Sequence, residues 1–322
     1  MLNRRAQGVT AARLRWFRAQ VPAEDLYVPD GVDRAVEAVA TVARRSYEVL
    51  CTGGGDGTFM LAAGALATLG PAARPALLPL RLGTGNAVHD VCGSSRPTPR
   101  GLADDLARAA DPRELPSPLR LLEVDGRLAQ FAGVGLDADW AADYAWLIKR
   151  NVGTGPLLPL ARGAPGYALT ALALTIPRLI RRPFVAIKLV ARGPAARLDG
   201  DGRAVEQFAD GETLYDGPLT MASVSTVASY SAGFPYFRHV DRIGDAFELK
   251  LAVASAYQVV RHARRLLGGG GDPVRILDFA ASGVRVELPV ATRYHIGGDV
   301  LPATHGFSVG TSRHAVPVLR PR

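Results

Sequence analysis

Seven residues carry most of the chemistry this chain can offer: Thr52-Gly53-Gly54-Gly55-Asp56-Gly57-Thr58. They follow the apolar run Tyr47–Cys51 and precede another, Phe59–Ala63, which reads as strand, glycine turn, helix. Glycine lets the backbone turn sharply and bring its N–H groups close to a ligand. The helix that follows directs its positive end to the same place, where a phosphate fits. Asp56 adds a carboxylate that bare phosphate would repel, so the pocket calls for a metal ion between them or a proton to be removed. The competing reading is a tight turn without a ligand. A turn needs one or two glycines, however, and four in five positions carry an entropic cost that a turn alone does not explain. The pattern is neither G-x-G-x-x-G nor a Walker loop.

A second glycine motif, Arg81-Leu82-Gly83-Thr84-Gly85-Asn86, follows the apolar strand Pro75–Leu80. The Thr84 hydroxyl and the Asn86 amide can both hydrogen-bond a nucleotide. Alternatively, Asn86 caps a helix starting at Ala87. Two such motifs ending successive strands of one sheet lie at the same sheet edge.

These motifs need an α/β scaffold. Val32, Val36, Val39 and Ala43 fall on one helical face ahead of the Tyr47–Cys51 strand, and 101–110 reads as a further helix. Strands alternate with helices up to about residue 115, a doubly wound pattern. After Pro116-Ser117-Pro118 the texture changes. Leu119–Val124, Asp125-Gly126 and Arg127–Phe131 read as a hairpin with a tight turn. Strands follow at Val185–Ala191, Leu219–Ser225, Ala246–Ala252 and Val284–Leu288, with helices near 138–150, 165–181 and 255–267 and a glycine loop at Gly268–Gly271. The expectation is an α/β nucleotide-binding domain over 1–115, completed by about 306–322, and a β-sandwich substrate domain over 116–305.

GGGDGT followed by LPLRLGTGN resembles the diacylglycerol kinase catalytic-domain family, which includes bacterial lipid kinases, sphingosine kinases and ceramide kinases. The opening Leu2–Gly8 is similar to the family's first nucleotide loop. Phe131–Ala138 is similar to its GxGxDA segment, and Tyr294–Asp299 falls where it carries an Asp-Gly-Glu triplet. The resemblance implies the same two-domain layout, with an active site between the domains, and a kinase moving the γ-phosphate of ATP to a lipid hydroxyl with Mg2+. By position, Gly54 to Met60, including Gly55, Asp56, Gly57 and Thr58, would cradle the phosphates. Asn3, Gly83, Thr84 and Asn86 would complete the nucleotide site, with Arg4 and Arg5 assisting. Asp56 would act through magnesium or as the base, and Asp137 would face the substrate. Asp299 would be the catalytic acid that survives from the triplet, which here reads Gly297-Gly298-Asp299; His295 is nearby, and a histidine in a strand is otherwise structural. A structural magnesium would use Asp245 with the carbonyls of Arg242 and Phe247.

Composition bounds the partners. The 322 residues suffice for two domains, and a net charge of +8 favours an anionic partner: nucleotide, anionic lipid surface or nucleic acid. No nucleic-acid motif is present, and aromatics make up only 7%. Two cysteines, Cys51 and Cys92, exclude a disulfide framework. The basic first residues are followed by no apolar leader, and the expected location is cytoplasmic, peripheral at the inner membrane surface. The stretch from Ala164 to Pro177 is too short to span a bilayer; it either rests on a membrane surface or packs on a sheet, the latter being the favoured reading. Beside the lipid kinase stand two alternatives: a non-catalytic nucleotide- or lipid-binding protein, motivated by Gly297, and an NAD kinase relative, against which Gly83–Asn86 argues.

Overall fold

The computed structural model describes residues 1–69, 74–111, 113–151, 164–181, 184–230, 234–253, 258 and 275–320. The expected helix over 255–267 and the loop Gly268–Gly271 lie outside the described residues. The chain forms an α/β unit, Met1–Leu121 with Ser312–Arg322, and a β-rich unit, Leu122–Tyr230 with Phe234–Thr311.

In the α/β unit the described elements run α1 (Ala11–Gln20), α2 (Val32–Arg44), β1 (Val49–Gly54), α3 (Asp56–Ala67), β2 (Ala76–Arg81), α4 (Ala87–Val91), α5 (Pro99–Ala109) and β3 (Pro116–Leu119). The helix starts are written locally. The Thr10 side chain accepts from Arg13 N–H to begin α1, and Thr98 accepts from Gly101 N–H ahead of Pro99 to begin α5. β1 pairs with β2 in parallel, from Val49 opposite Ala76 to Gly54 opposite Arg81. β2 is buried almost throughout, as a strand covered on both faces must be. The last strand of the chain (Val316–Leu319) inserts between β2 and β3, parallel to the former and antiparallel to the latter. Pro116-Ser117-Pro118, where the sequence texture changes, is therefore a strand of this sheet. Leu2 bridges Gly53 on the other side of β1, with Asn3 N–H donating to Gly53 O at 2.9 Å. The apolar face expected on α2 is rotated. Ala35, Ala38, Val39, Val42 and Ala43 are buried, whereas Val32 and Val36 face solvent. Small alanines let α2 approach its neighbours closely, which the spacing of the valines alone does not reveal.

The β-rich unit contains β4 (Leu122–Val124), β5 (Arg127–Ala129), β6 (Phe131–Gly135), α6 (Leu136–Asn151), α7 (Ala164–Thr170), a π-turn (Ala171–Thr175) and α8 (Ile176–Arg181). It continues with β7 (Val185–Ala191), β8 (Ala195–Leu198), β9 (Ala204–Phe208), β10 (Thr213–Leu219), β11 (Met221–Ser225), β12 (Ser229–Tyr230), β13 (Phe234–Pro235), β14 (Phe247–Val253), β15 (Arg275–Ala281), β16 (Gly283–Ile296) and β17 (Asp299–Thr311). All but β12 and β13 join one antiparallel network of 12 strands. β16 serves two neighbours on one edge: Val284–Glu287 pair with β7 and Tyr294–Ile296 with β6, while β17 runs along its other edge. The register shifts between Glu287 and Thr292, where Pro289 withholds a donor from the ladder. Side chains from β4 to β17, among them Leu189, Phe247, Leu251, Phe279 and Phe307, meet in one core. The expected hairpin is present, with Asp125 (φ 46°) and Gly126 (φ 79°) between β4 and β5; this is the left-handed pair a two-residue turn requires.

The helix expected near 165–181 departs from the favoured reading. It packs against α6 through polar groups: Thr175 Oγ1 donates to Asp143 Oδ2 at 3.0 Å, and Arg178 pairs with Asp143 at 2.7 Å. Its large apolar side chains, Leu169, Leu172 and Ile180, point to solvent.

Candidate functional site

β1 ends at Gly54, Gly55 is the N-cap of α3, and Asp56 is already helical, so the glycine turn is shorter than its sequence suggests. The second motif, 82–86, lies against it. Leu82 N–H donates to Gly54 O and Asp56 N–H to Gly85 O, each at 3.0 Å. This contact accounts for two of the glycines, Gly55 and Gly83. A Cβ on Gly83 would lie 2.1 Å from Gly55 Cα, one on Gly55 2.7 Å from Gly85 O, one on Gly54 2.2 Å from Thr58 Oγ1, and one on Gly53 2.3 Å from Leu2 Cδ2. Close packing of the protein on itself thus sets Gly55 against backbone, and Gly53 and Gly54 against the side chains of Leu2 and Thr58. Gly57 differs: it is exposed, and a Cβ there would meet nothing within 4 Å.

Asp56 also turns inward. Its Oδ2 accepts from Ala87 N–H at 2.9 Å and its Oδ1 from Val88 N–H at 3.1 Å. The carboxylate caps α4, a role in which its charge faces the helix's positive end. His89 Nδ1 lies 3.5 Å from Asp56 Oδ1, while His89 Nε2 lies 3.2 Å from the Leu80 carbonyl. His89 escaped the sequence reading, since one histidine in a short helix carries no motif. Asn86 precedes α4 but does not cap it. Its Nδ2 donates to Gly83 O at 3.0 Å, leaving Oδ1 buried without a hydrogen-bond partner.

What remains open to a ligand is a small set of donors. α3 starts without a side-chain cap; Asp56 N–H donates to Gly85 O and Thr58 N–H to Gly55 O, so the positive end of the helix is presented at exposed Gly57. The Asn3 amide donates to Thr58 Oγ1 at 2.9 Å, and Asn3 Oδ1 accepts from Arg5 N–H at 3.0 Å, which folds the Asn3 loop onto the start of α3. Arg4, Arg5 and Thr84 are exposed. The structure thus brings Asn3, Gly54, Gly55, Asp56, Gly57, Thr58, Gly83 and Asn86 together, and the helix end with its adjacent cations suits an anion. The orphaned Asn86 Oδ1 is an acceptor seeking a donor, as a nucleoside amine or hydroxyl would supply.

Comparison with known proteins finds a family match over part of the chain. Residues 10–115 match the diacylglycerol kinase catalytic domain. No curated protein sequence matches the chain. A solved diacylglycerol kinase from Bacillus anthracis str. Sterne is 14% identical, with 99% of this chain and 95% of that one covered and a TM-score of 0.64. A second structure from that organism, named only provisionally as a diacylglycerol kinase, is 15% identical, with 99% and 96% covered and a TM-score of 0.65. At such identities the likeness is one of fold: an α/β domain followed by a large antiparallel β domain.

The diacylglycerol kinase match takes in both glycine motifs; Asn3, Asp137, Asp245 and Asp299 lie outside it. Asp137, near the start of α6, is buried in a side-chain network. His295 Nε2 lies 2.9 Å from its Oδ2, Ser223 Oγ donates to the same oxygen at 2.5 Å, and the Tyr230 hydroxyl donates to Oδ1. Gly298 N–H donates to His295 Nδ1 at 3.3 Å. Burial alone would raise the Asp137 pKa, but the charge and hydrogen bond of His295, with the Ser223 and Tyr230 hydroxyls, hold it below the usual carboxylate range. Ser223 and Tyr230 stand 86 and 93 residues from Asp137 in sequence, and no local signal could have found them.

Outside the diacylglycerol kinase match, too, the triplet position is a hairpin turn. Gly297 (φ 59°) and Gly298 (φ 92°) join β16 to β17, and Asp299 opens β17, exposed, opposite Ile296. Asp245 lies in the turn before β14, after Gly244 (φ 62°), with Arg242 in a 3-10 turn and Phe247 at the strand start. Among the described residues, the group with metal-ligand spacing is a different one, His239, Glu248 and Asp278. The Lys250 ammonium already sits there, 2.6 Å from Asp278 Oδ1 and 3.0 Å from Glu248 Oε1, supplying the cation itself.

Proposed function

We propose that this chain is an ATP-dependent lipid kinase that transfers the γ-phosphate to a hydroxyl of a membrane lipid of the diacylglycerol or sphingoid type. The observation that carries the reading is the packed pair of glycine loops at the start of α3, within the segment that matches a diacylglycerol kinase catalytic domain. The groups there fit the phosphates of ATP: the helix end with the Gly57 N–H, the Thr58 hydroxyl, and Arg4 and Arg5 for the negative charge. Asn86 Oδ1 and Thr84 are left for the nucleoside. Asp56 is the carboxylate these loops offer to Mg2+, and each of its oxygens already accepts one N–H of α4. In the transfer, the lipid oxygen attacks the γ-phosphorus, the bond to ADP breaks, and the hydroxyl proton passes to a carboxylate. We assign that acceptor role to Asp299, exposed beside a two-glycine turn, and a substrate-side role to the Asp137 network.

A non-catalytic nucleotide- or lipid-binding protein is the second reading, and Gly297 favours it. Where the family carries an acid, this chain carries the first glycine of a left-handed pair. The deciding experiment is transfer of labelled γ-phosphate from Mg-ATP to a panel of lipids in mixed micelles, with NAD as a soluble acceptor for comparison. Label in one lipid that is lost in Asp299→Asn supports the kinase. ATP binding without label in any acceptor supports the binding protein.

A further inference from the structure

The segment from Ala164 to Arg181 is a helix turned inside out. Globular helices bury their apolar stripe and expose polar groups. Here Thr170 and Thr175 are buried, and the hydroxyl of Thr175 reaches Asp143 on α6. The outward face carries Leu169 at 52% exposure, Leu172 at 69% and Ile180 at 66%, with Ala168, Ala173 and Pro177 between them. Phe184, just beyond the helix, and Trp146, on the neighbouring α6, are 46% and 43% exposed. These five are half of the chain's ten exposed large apolar side chains among the described residues. A concentration of this kind marks an interaction surface rather than scattered surface residues.

Charge and length select the occupant. The apolar face ends at exposed Arg181, Arg178 being paired with Asp143, and no acidic residue occurs between Ala164 and Phe184. A second copy docking on this face about a two-fold axis would bring like charges together. A protein partner would need its own acidic rim, whereas an anionic lipid surface offers both an apolar layer and negative headgroups. At 1.5 Å per residue the helix is roughly 27 Å long, and among the described residues no helix is long and apolar enough to cross a membrane. The π-turn Ala171–Thr175 adds a residue to one turn; such a bulge shifts the side chains that follow around the helix and helps keep Ile180 on the face of Leu172.

We propose that this outward face of α7 and α8 docks on an anionic lipid surface, lying in the plane of the headgroups with Leu169, Leu172 and Ile180 inserted and Arg181 against the phosphates. The inference rests on the helix alone and does not depend on the kinase reading. It is tested without nucleotide, by co-sedimentation of the full chain with vesicles of phosphatidylcholine alone and of phosphatidylcholine with phosphatidylglycerol. Binding to the anionic vesicles is expected, weakening with salt. Leu172→Asn with Ile180→Asn should reduce the affinity about tenfold or more, and Arg181→Glu should reduce it for anionic vesicles only. Both leucine and isoleucine are exposed, so circular dichroism should be unchanged; Leu172→Asn alone serves if the pair unfolds. Failure to bind phosphatidylglycerol vesicles, or equal binding by the variants, overturns the proposal. So does a variant that turns a dimer into a monomer while vesicle binding stays the same. Loss of vesicle binding with phosphotransfer to micellar lipid retained would leave the kinase standing, and the converse would leave the docking face standing.

Discussion

Two buried carboxylates, Asp56 and Asp137, are held in opposite ways. Asp56 is gripped by backbone: two N–H groups at the start of α4, delivered by glycine loops that touch one another. Asp137 is gripped by side chains: a histidine, a serine and a tyrosine brought from three different strands. A backbone grip depends on how closely two loops can approach, so it is sensitive to any added carbon. A side-chain grip depends on matched donors, so it is sensitive to the loss of charge or of a partner. Neither carboxylate is exposed as Asp299 is.

The largest expected effect lies at the loop contact. Gly83→Ala forces a Cβ to 2.1 Å from Gly55 Cα, and should destabilise the protein by about 3 kcal/mol or more. Gly57→Ala, in the same motif, meets open space and should change stability by less than about 1 kcal/mol. Its effect should fall instead on ATP affinity, because the methyl group stands at the exposed start of α3. Thermal unfolding with and without ATP separates the two; equal melting temperatures for both variants would refute the packing argument.

On the side-chain side, Asp137→Ala takes the acceptor from the buried donors of Ser223 and His295 and should cost about 3 kcal/mol. The same grip sets a pH dependence. The folded pKa of Asp137 lies below its unfolded value, so its contribution is complete above about pH 4 and is lost as pH falls through the folded pKa. Urea unfolding across that range should show a steeper acid loss in the parent than in Asp137→Ala, and parallel curves would contradict the assignment.

Smaller effects sharpen the contrast. Asp56→Asn keeps one acceptor for α4 but turns an amide donor toward the other N–H, costing about 1–2 kcal/mol. A carboxylate that served catalysis alone would leave the melting temperature unchanged on this substitution. Gly297→Asp places a side chain at φ 59°, a region aspartate tolerates for about 1 kcal/mol, as Asp125 at φ 46° already does here. The fold should survive, and phosphotransfer should rise if the missing acid limits activity.

Much of the α/β unit was legible because its signals are local. Thr10 and Thr98 announce helix starts, Asp125-Gly126 announces a turn, and the two glycine motifs announce strand ends. The role of Asp56 was not legible. Its partners are N–H groups of Ala87 and Val88, and backbone donors have no sequence signature. The short strands β8, β9 and β10 escaped as well; β9 is largely exposed, so its residues show no alternation to read.

The sequence by itself determined the α/β scaffold, its two glycine loops and the β-rich remainder, because caps, turns and alternating apolar residues act over a few neighbours. Only the tertiary structure decided which glycines serve packing and which stays open, which carboxylates face inward, and that the helix from Ala164 to Arg181 shows its apolar face outward. Each of those outcomes depends on what lies across from a residue, and contacts between distant parts of the chain leave no periodic trace in it.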